Sequence, residues 1–340
     1  MARDDREVIV VEPEGGGGLK WLLLGAALGA GLALLFAPKS GKELRRDLGK
    51  SVRGFKDLAS ETLGELKDRR GVPALLELAK SHPDREIRRE AVETIGEAAE
   101  PAVALETLER IARQDPDEEV QREAVETLGE IEHERRVVVL RDIVRDHPSV
   151  EVRREAVETL KEAEPGEAFQ LLQRIATEDR SDEVRREAVE SLGELEDPRV
   201  VSLLLELAER EDQSEEVQRE AVETLGEAGG AKALEALARL AETHRIEEVR
   251  SEAVETFGEH ARPEEAVRLF RRLIAKESSE TVQHEILETL AELDGNAGVA
   301  ILLEVARGHP NRQVRREAIK RLGDVDEEAA RAELKRILDR

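Results

Sequence analysis

Apolar positions recur along this chain at one fixed spacing. Ile87, Val120, Val152, Val184, Val217, Val249, Val282 and Val314 follow one another with a period of about 32 residues, and each lies near the start of a variant of the phrase EVRREAVETLGE. On a wheel of 100° per residue, such an anchor and the residues four, five, eight and eleven places after it form one apolar arc, so the phrase predicts an amphipathic helix. Three residues before the anchor stands Asp84, Asp117, Ser149, Ser181, Ser214, Ser279 or Asn311, a row of N-caps for that helix. Pro83, Pro116, Pro148 and Pro310 fall in the turn just before, so the unit reads as two helices broken at fixed places. The sixth unit has Ile246 at the cap position, and its second helix is expected to fray or start late.

A single two-helix unit of this size cannot bury its own apolar face. Stacked copies share a continuous core, and the expected product is an elongated α-solenoid of about eight repeats over residues 71–340. The residue one place after the anchor (+1) falls inside the apolar arc but is always Arg or Gln: Arg88, Gln121, Arg153, Arg185, Gln218, Arg250, Gln283 and Arg315. These side chains are expected to lie partly buried between repeats and to find acceptors there, such as a neighbour's cap residue. Positions +2, +3, +6 and +10 form the solvent-facing sector. Position +3 is Glu in every repeat, +10 is always acidic, and +6 is Glu except for Lys320, while Arg at +2 offsets part of the charge. The +6 row Glu93, Glu126, Glu158, Glu190, Glu223 and Glu255 is the candidate protein-binding stripe, suited to a basic partner segment.

The repeated phrase and its period are similar to those of the short HEAT-like repeats of phycobilin lyases and bacterial scaffold proteins. The tetratricopeptide and ankyrin signatures, which have similar periods, are absent. The resemblance implies antiparallel helix pairs in a right-handed solenoid, with the second helix of each pair lining the concave face and a closing helix at Glu327 to Leu338.

The first seventy residues differ in character. Apart from Lys20, Leu19 to Ala37 is apolar, and from Trp21 onward this stretch carries no charge. At 1.5 Å per residue it covers about 26 Å, the short end of a bilayer span. The expected organisation is an acidic flexible tail at 1–18, a transmembrane helix at 19–38, a basic juxtamembrane amphipathic helix at 39–70 that could lie on anionic lipid, and the solenoid at 71–340. Lys39, Lys42, Arg45, Arg46 and Lys50 follow the span, which places that side in the cytoplasm. Gly25 and Gly29 form a GxxxG spacing suited to a homodimer in lipid. The run GAALGAGLALLFAPKSGKELRRDL resembles the YtxH-like family of small bacterial envelope proteins, which implies a bacterial inner-membrane anchor.

Composition narrows the partners. The net charge is −25, aromatics are 2% of residues, and there is neither Tyr nor Cys. The absence of Cys excludes disulfides and thiolate metal sites. An array this acidic is repelled by phosphate backbones and has few stacking platforms, so nucleic acid is not an expected partner. His82, His147, His244 and His309 share the position five before the anchor (−5), a recurrence that points to a structural role. Deoxyhypusine hydroxylase resembles the chain in having eight HEAT-like repeats, and its irons are held by several His-Glu pairs. Here His284-Glu285 stands at the matching helix position and His133-Glu134 in a turn, too few for a di-iron centre. Nothing marks a tetrapyrrole pocket, and no Gly-rich phosphate loop appears. The sequence therefore reads as a non-enzymatic, membrane-anchored scaffold without cofactor or metal; the alternatives are a lyase or enzyme-accessory protein of the HEAT-like class, and a spacing element with no ligand.

Overall fold

The computed structural model describes residues 72–294 and 297–325. The acidic tail, the expected span at 19–38, the basic helix at 39–70 and the closing helix lie outside them. Among the described residues no helix is long and apolar enough to cross a membrane.

The described residues hold sixteen helices and no strand. The first helices of the eight pairs are α1 (Val72–Ser81), α3 (Pro101–Gln114), α5 (Arg136–Asp146), α7 (Pro165–Glu178), α9 (Val200–Glu209), α11 (Gly230–Thr243), α13 (Pro263–Ile274) and α15 (Val299–Gly308). The second helices are α2 (Arg85–Ala98), α4 (Glu118–Glu130), α6 (Val150–Leu160), α8 (Asp182–Gly193), α10 (Glu215–Ala228), α12 (Glu247–His260), α14 (Glu280–Glu292) and α16 (Arg312–Asp324). The chain divides into two compact units between Thr127 and Leu128, inside α4.

Each boundary has a local cause. Pro101, Pro165 and Pro263 open α3, α7 and α13, where the missing N–H costs nothing. Asp84, Ser149, Ser214, Ser279 and Asn311 accept from first-turn amides of α2, α6, α10, α14 and α16. Between α10 and α11 a single residue, Gly229 at φ 66°, reverses the chain in the left-handed region that a side chain would disfavour.

Two cap expectations need correction. Ser181 makes no cap bond and is held instead by Glu183, at 2.5 Å. Ile246 provides no cap either, yet α12 starts in register at Glu247 and continues to His260. Its start is fixed from outside: His244 Nδ1 accepts from the Ile246 amide at 3.2 Å, and Ser279 holds Glu247 at 2.5 Å.

The apolar arc forms the core. Seven anchors from Val120 to Val314 are buried, with Ile87 half-buried, and the +4 row from Ala91 to Ala318 is fully enclosed. In the second unit, α6, α8, α10, α12, α14 and α16 lie side by side in extensive contact, whereas α7, α9 and α11 touch one another only lightly. The close approach is made by a residue pair absent from the sequence-based reading. A β-carbon on Gly129, Gly193, Gly226 or Gly258, all at +9, would overlap the γ-methyl of Thr159, Thr224, Thr256 or Thr289, at +7 of the following repeat. The methyl is locked in place because the hydroxyls of Thr159, Thr224 and Thr289 bond the carbonyls of Glu155, Glu220 and Glu285, at 2.7, 2.7 and 2.9 Å. Where +9 is Lys161, the next +7 residue is Ser191, which has no methyl; where it is Ala291, the next is Arg321.

Ala exceeds Gly in helix propensity by about 1 kcal/mol, and overpacking a filled contact costs about 1–3 kcal/mol. Gly193→Ala alone is therefore expected to lower stability by about 1 kcal/mol. In a Thr224→Ser background, with the methyl gone, the same substitution is expected to raise it. Urea unfolding followed by circular dichroism reads this reversal of sign; a loss in both backgrounds contradicts the packing account.

Candidate functional site

The polar face of the second helices is built from two layers of charge. Arg at +2 reaches the next repeat and bonds Glu at +3. In the first unit Arg89 meets Glu123 at 2.5 Å; in the second, Arg154 meets Glu187 at 2.7 Å, and Arg186 and Arg219 meet Glu220 and Glu252 at 2.6 Å. These carboxylates are only 10–13% exposed, so position +3 is not the solvent-facing row expected from the helix wheel. The wheel describes an isolated helix, whereas the neighbouring helix covers this edge. The Arg charge is likewise spent between repeats rather than along one helix. Burial pushes the Glu187 and Glu220 carboxyls up from their ordinary value despite their Arg partners.

Outside this layer lie the exposed acids. Glu93 and Glu126 in the first unit, and Glu158, Glu190, Glu223 and Glu255 on successive helices of the second, are all exposed, as are the +10 acids from Glu97 to Asp324. Lys161 is the one basic +9 residue in the described repeats, and its ammonium lies 2.9 Å from Glu194 and 3.8 Å from Glu158.

The +1 side chains are buried or half-buried between repeats as expected, but their acceptors are not the caps. Each lies against the end of its own first helix: Arg88, Arg153, Arg250 and Arg315 donate to the carbonyls of His82, His147, His244 and His309, at 2.9, 3.1, 2.9 and 2.5 Å. Gln121 and Gln283 donate likewise to Asp115 and Glu277, at 2.6 and 2.5 Å. Three arginines also cross to the −5 carboxylate of the next repeat, Arg88 to Asp115 at 2.9 Å, Arg153 to Asp179 at 3.3 Å and Arg250 to Glu277 at 3.1 Å. Burial raises the Glu277 carboxyl, but the Ser279 amide and Arg250 outweigh it and hold the group below its ordinary value.

The recurring histidines occupy this same −5 position. Nδ1 of His82, His147, His244 and His309 accepts from the backbone N–H two residues on, at 3.1, 3.2, 3.2 and 3.3 Å, as Asp115, Asp179 and Glu277 do with their carboxylates. The proton then sits on Nε2, which faces the Ala208 carbonyl at 3.1 Å in His244 and the Ile274 carbonyl at 3.3 Å in His309. Before these two His the preceding +1 residue is Gln218 or Gln283, and before Asp115, Asp179, Asp212 and Glu277 it is Arg. The pairing was present in the sequence as a covariation between the +1 residue of one repeat and the −5 residue of the next.

His284 and His133 are not brought into a shared site. His284 lies on α14 between Glu288 and Glu317, at 3.4 and 3.2 Å, with Arg321 joining the same carboxylates. His133 accepts from the Arg135 amide in the turn before α5, at the edge of an open cleft of about 580 Å³ with mostly polar lining. Among the described residues no group of three or more His, Cys, Asp or Glu is placed to hold a metal ion.

Two +2 positions of the ladder lack Arg: His284 in the seventh repeat, which still lies 3.2 Å from Glu317, and one in the sixth. At +2 of the sixth repeat stands Ser251, whose hydroxyl lies 3.4 Å from Glu285. Burial, with the carboxylates of Glu255 and Glu288 beside it, pushes the Glu285 carboxyl up to about 7. A carboxyl whose folded pKa exceeds its unfolded value of about 4.3 penalises the ionised fold, so its contribution is most favourable below that value and is lost as pH rises through about 7. Ser251→Arg restores the rung. It is expected to stabilise the protein at pH 8 by about 1 kcal/mol, a figure reduced for the partial exposure of Glu285, with a smaller gain at pH 5. Thermal unfolding at the two pH values checks this; an equal gain at both assigns the effect to something other than Glu285.

A family model described as HEAT repeats matches residues 43–129, 72–161, 137–214, 209–291 and 270–340. Among solved structures, human deoxyhypusine hydroxylase in complex with glycerol is 22% identical, covering 78% of this chain and 97% of its own, with a TM-score of 0.34. Yeast importin-beta (Kap95p) is 14% identical, covering 80% and 45%, with a TM-score of 0.48. Lipovitellin is 15% identical, covering 95% and 34%, with a TM-score of 0.50. No curated protein matches the chain. Successive matches to one repeat family, extending from residue 43 to residue 340, agree with the stacked helix pairs, and the chain belongs to the HEAT-repeat family.

Proposed function

We propose that the protein is a non-enzymatic scaffold that binds a basic segment of a protein partner on the exposed acidic rows of its second helices. The supporting observation is the division of labour between charges. Arg154, Arg186 and Arg219 are committed to the inner carboxylates at +3, while Glu158, Glu190, Glu223 and Glu255 stand exposed on successive helices. Two acidic rows per repeat attract an extended cationic chain and steer its approach. Replacing Glu158, Glu190, Glu223 and Glu255 with Gln is expected to weaken capture of an Arg/Lys-rich peptide at least tenfold and to flatten its salt dependence. Fluorescence anisotropy from low to physiological salt reads both; unchanged affinity and salt slope reject the acidic rows as the binding surface.

The same reading places the array at a membrane. The uncharged run from Trp21 to Ala37, its basic flank and its likeness to YtxH-like anchors support a single span with the repeats on the cytoplasmic face of a bacterial inner membrane, and Gly25/Gly29 support pairing in lipid. The full chain is expected to stay in the membrane pellet on carbonate extraction, with its repeats protected from external protease in spheroplasts. Release of the intact chain, or digestion of the repeats, rejects the anchor.

A further inference from the structure

We infer that the junction of the sixth and seventh repeats anchors the partner's basic segment: an arginine of that segment binds Glu285 in the position that a +2 arginine occupies elsewhere and Ser251 leaves unfilled. The inference rests on the reading of the acidic rows as a binding surface, and it names the side chain that fixes the segment on them.

The site is defined by its equivalents. In four other junctions the +3 carboxylate holds a guanidinium: Glu123 that of Arg89, Glu187 that of Arg154, Glu220 that of Arg186 and Glu252 that of Arg219. Where the donor is not Arg, as at His284, the imidazole still lies 3.2 Å from Glu317. Between α12 and α14 the carboxylate is kept and the cation is not. Glu285 is half-buried, and it is met by two hydroxyls, Ser251 at 3.4 Å and Thr289 at 3.5 Å. Burial of a carboxylate without a cation is costly, which is why its carboxyl is held up at about 7, with Glu255 and Glu288 adding to the effect. What marks the site is the cation bound at its equivalents rather than the number of acids around it.

The position is open to a guest. In the filled rungs the arginine side chains are 38–48% exposed, so the guanidinium forms the outer, solvent-facing half of each pair. Serine lacks the whole arginine stem, and the outer half of this rung is reached from solvent. It lies beside Glu255, the exposed +6 acid of α12, and is therefore continuous with the acidic row. Glu288 on the far side is already engaged by Arg321 and His284, at 2.7 and 3.4 Å, which leaves Glu285 and Glu255 to receive the incoming charge.

The filled rungs also select the kind of cation. Arg89, Arg154 and Arg219 each donate from Nε at 2.9 Å and from an Nη at 2.5, 2.7 and 2.6 Å to a single carboxylate oxygen. That is the edge of a planar guanidinium, and the one nitrogen of a lysine ammonium cannot reproduce it. The anchoring residue of the partner is accordingly arginine.

Ser251→Arg supplies the guanidinium from within the chain and is expected to stabilise it, so a loss of binding is not a loss of fold. Gln313→Arg adds the same charge at an exposed position of α16 and controls for charge alone. Labelled oligoarginine and oligolysine peptides of equal length, titrated with the full chain by fluorescence anisotropy, read the outcome. The wild-type chain is expected to prefer oligoarginine. Ser251→Arg is expected to weaken oligoarginine at least tenfold and to erase the preference, whereas Gln313→Arg keeps the preference and weakens binding less than threefold. The anchor is overturned, with the acidic rows still standing, if the wild type binds both peptides alike, if Ser251→Arg retains the preference, or if it costs no more than Gln313→Arg. A wild-type chain that binds neither peptide rejects the rows and the anchor together.

Discussion

In the second unit each second helix lies in extensive contact along the next, and where its +9 residue is glycine that contact is filled by the threonine methyl of the following repeat. The methyl takes the space a β-carbon would need, and Arg at +2 spans to Glu at +3 both there, as from Arg186 to Glu220, and at the junction of Lys161 with Ser191, as from Arg154 to Glu187. A larger residue at +9 leaves no room for the methyl. The chain contains its own example: Lys161 is tolerated because Ser191 is opposite. Stability in such a stack is therefore a property of pairs drawn from adjacent repeats, and a substitution judged within one repeat is judged against the wrong neighbours.

This explains how a chain with a net charge of −25 stacks like against like. Apart from Glu285, the acids described between helices have arginines beside them, and the Arg250–Glu277 and Arg88–Asp115 pairs are also hydrogen-bonded to backbone groups at a helix end. Ion pairs at such sites contribute little net energy once desolvation is counted, but an unpaired partner costs several kcal/mol. Arg opposite acid and Gln opposite His are thus two self-consistent alternatives, and a mixed junction is penalised. Arg facing His would set a cation where no carboxylate answers it, and Gln facing Asp would leave a buried carboxylate without its guanidinium.

The period, the helix pairs, their caps and their core were readable because they obey rules that act within one helix: the apolar arc of the helical turn, a hydroxyl or carboxylate before the first turn, proline at the break. What could not be read from one helix is which edge its neighbour covers. The wheel put +3 in solvent, and only the stack shows Glu187 and Glu220 half-buried under Arg154 and Arg186. The late start expected for α12 failed for the same reason, since His244 and Ser279, not the cap residue, fix it.

Positions +1, +2, +3, +7 and +9 are constrained by the junction, so their recurrence carries no information about a ligand. Glu at +6 and the acids at +10 are different, because apart from the half-buried Glu288, which pairs with Arg321, they are exposed. A solvated face needs charge of either sign, and Lys or Arg would serve solubility as well and would lower the self-repulsion of an acidic array. In the described repeats the two rows stay acidic at every position except Lys320, although each like-charged neighbour weakens the stack. The sign that these rows share is what the proposal of a cationic partner segment rests on.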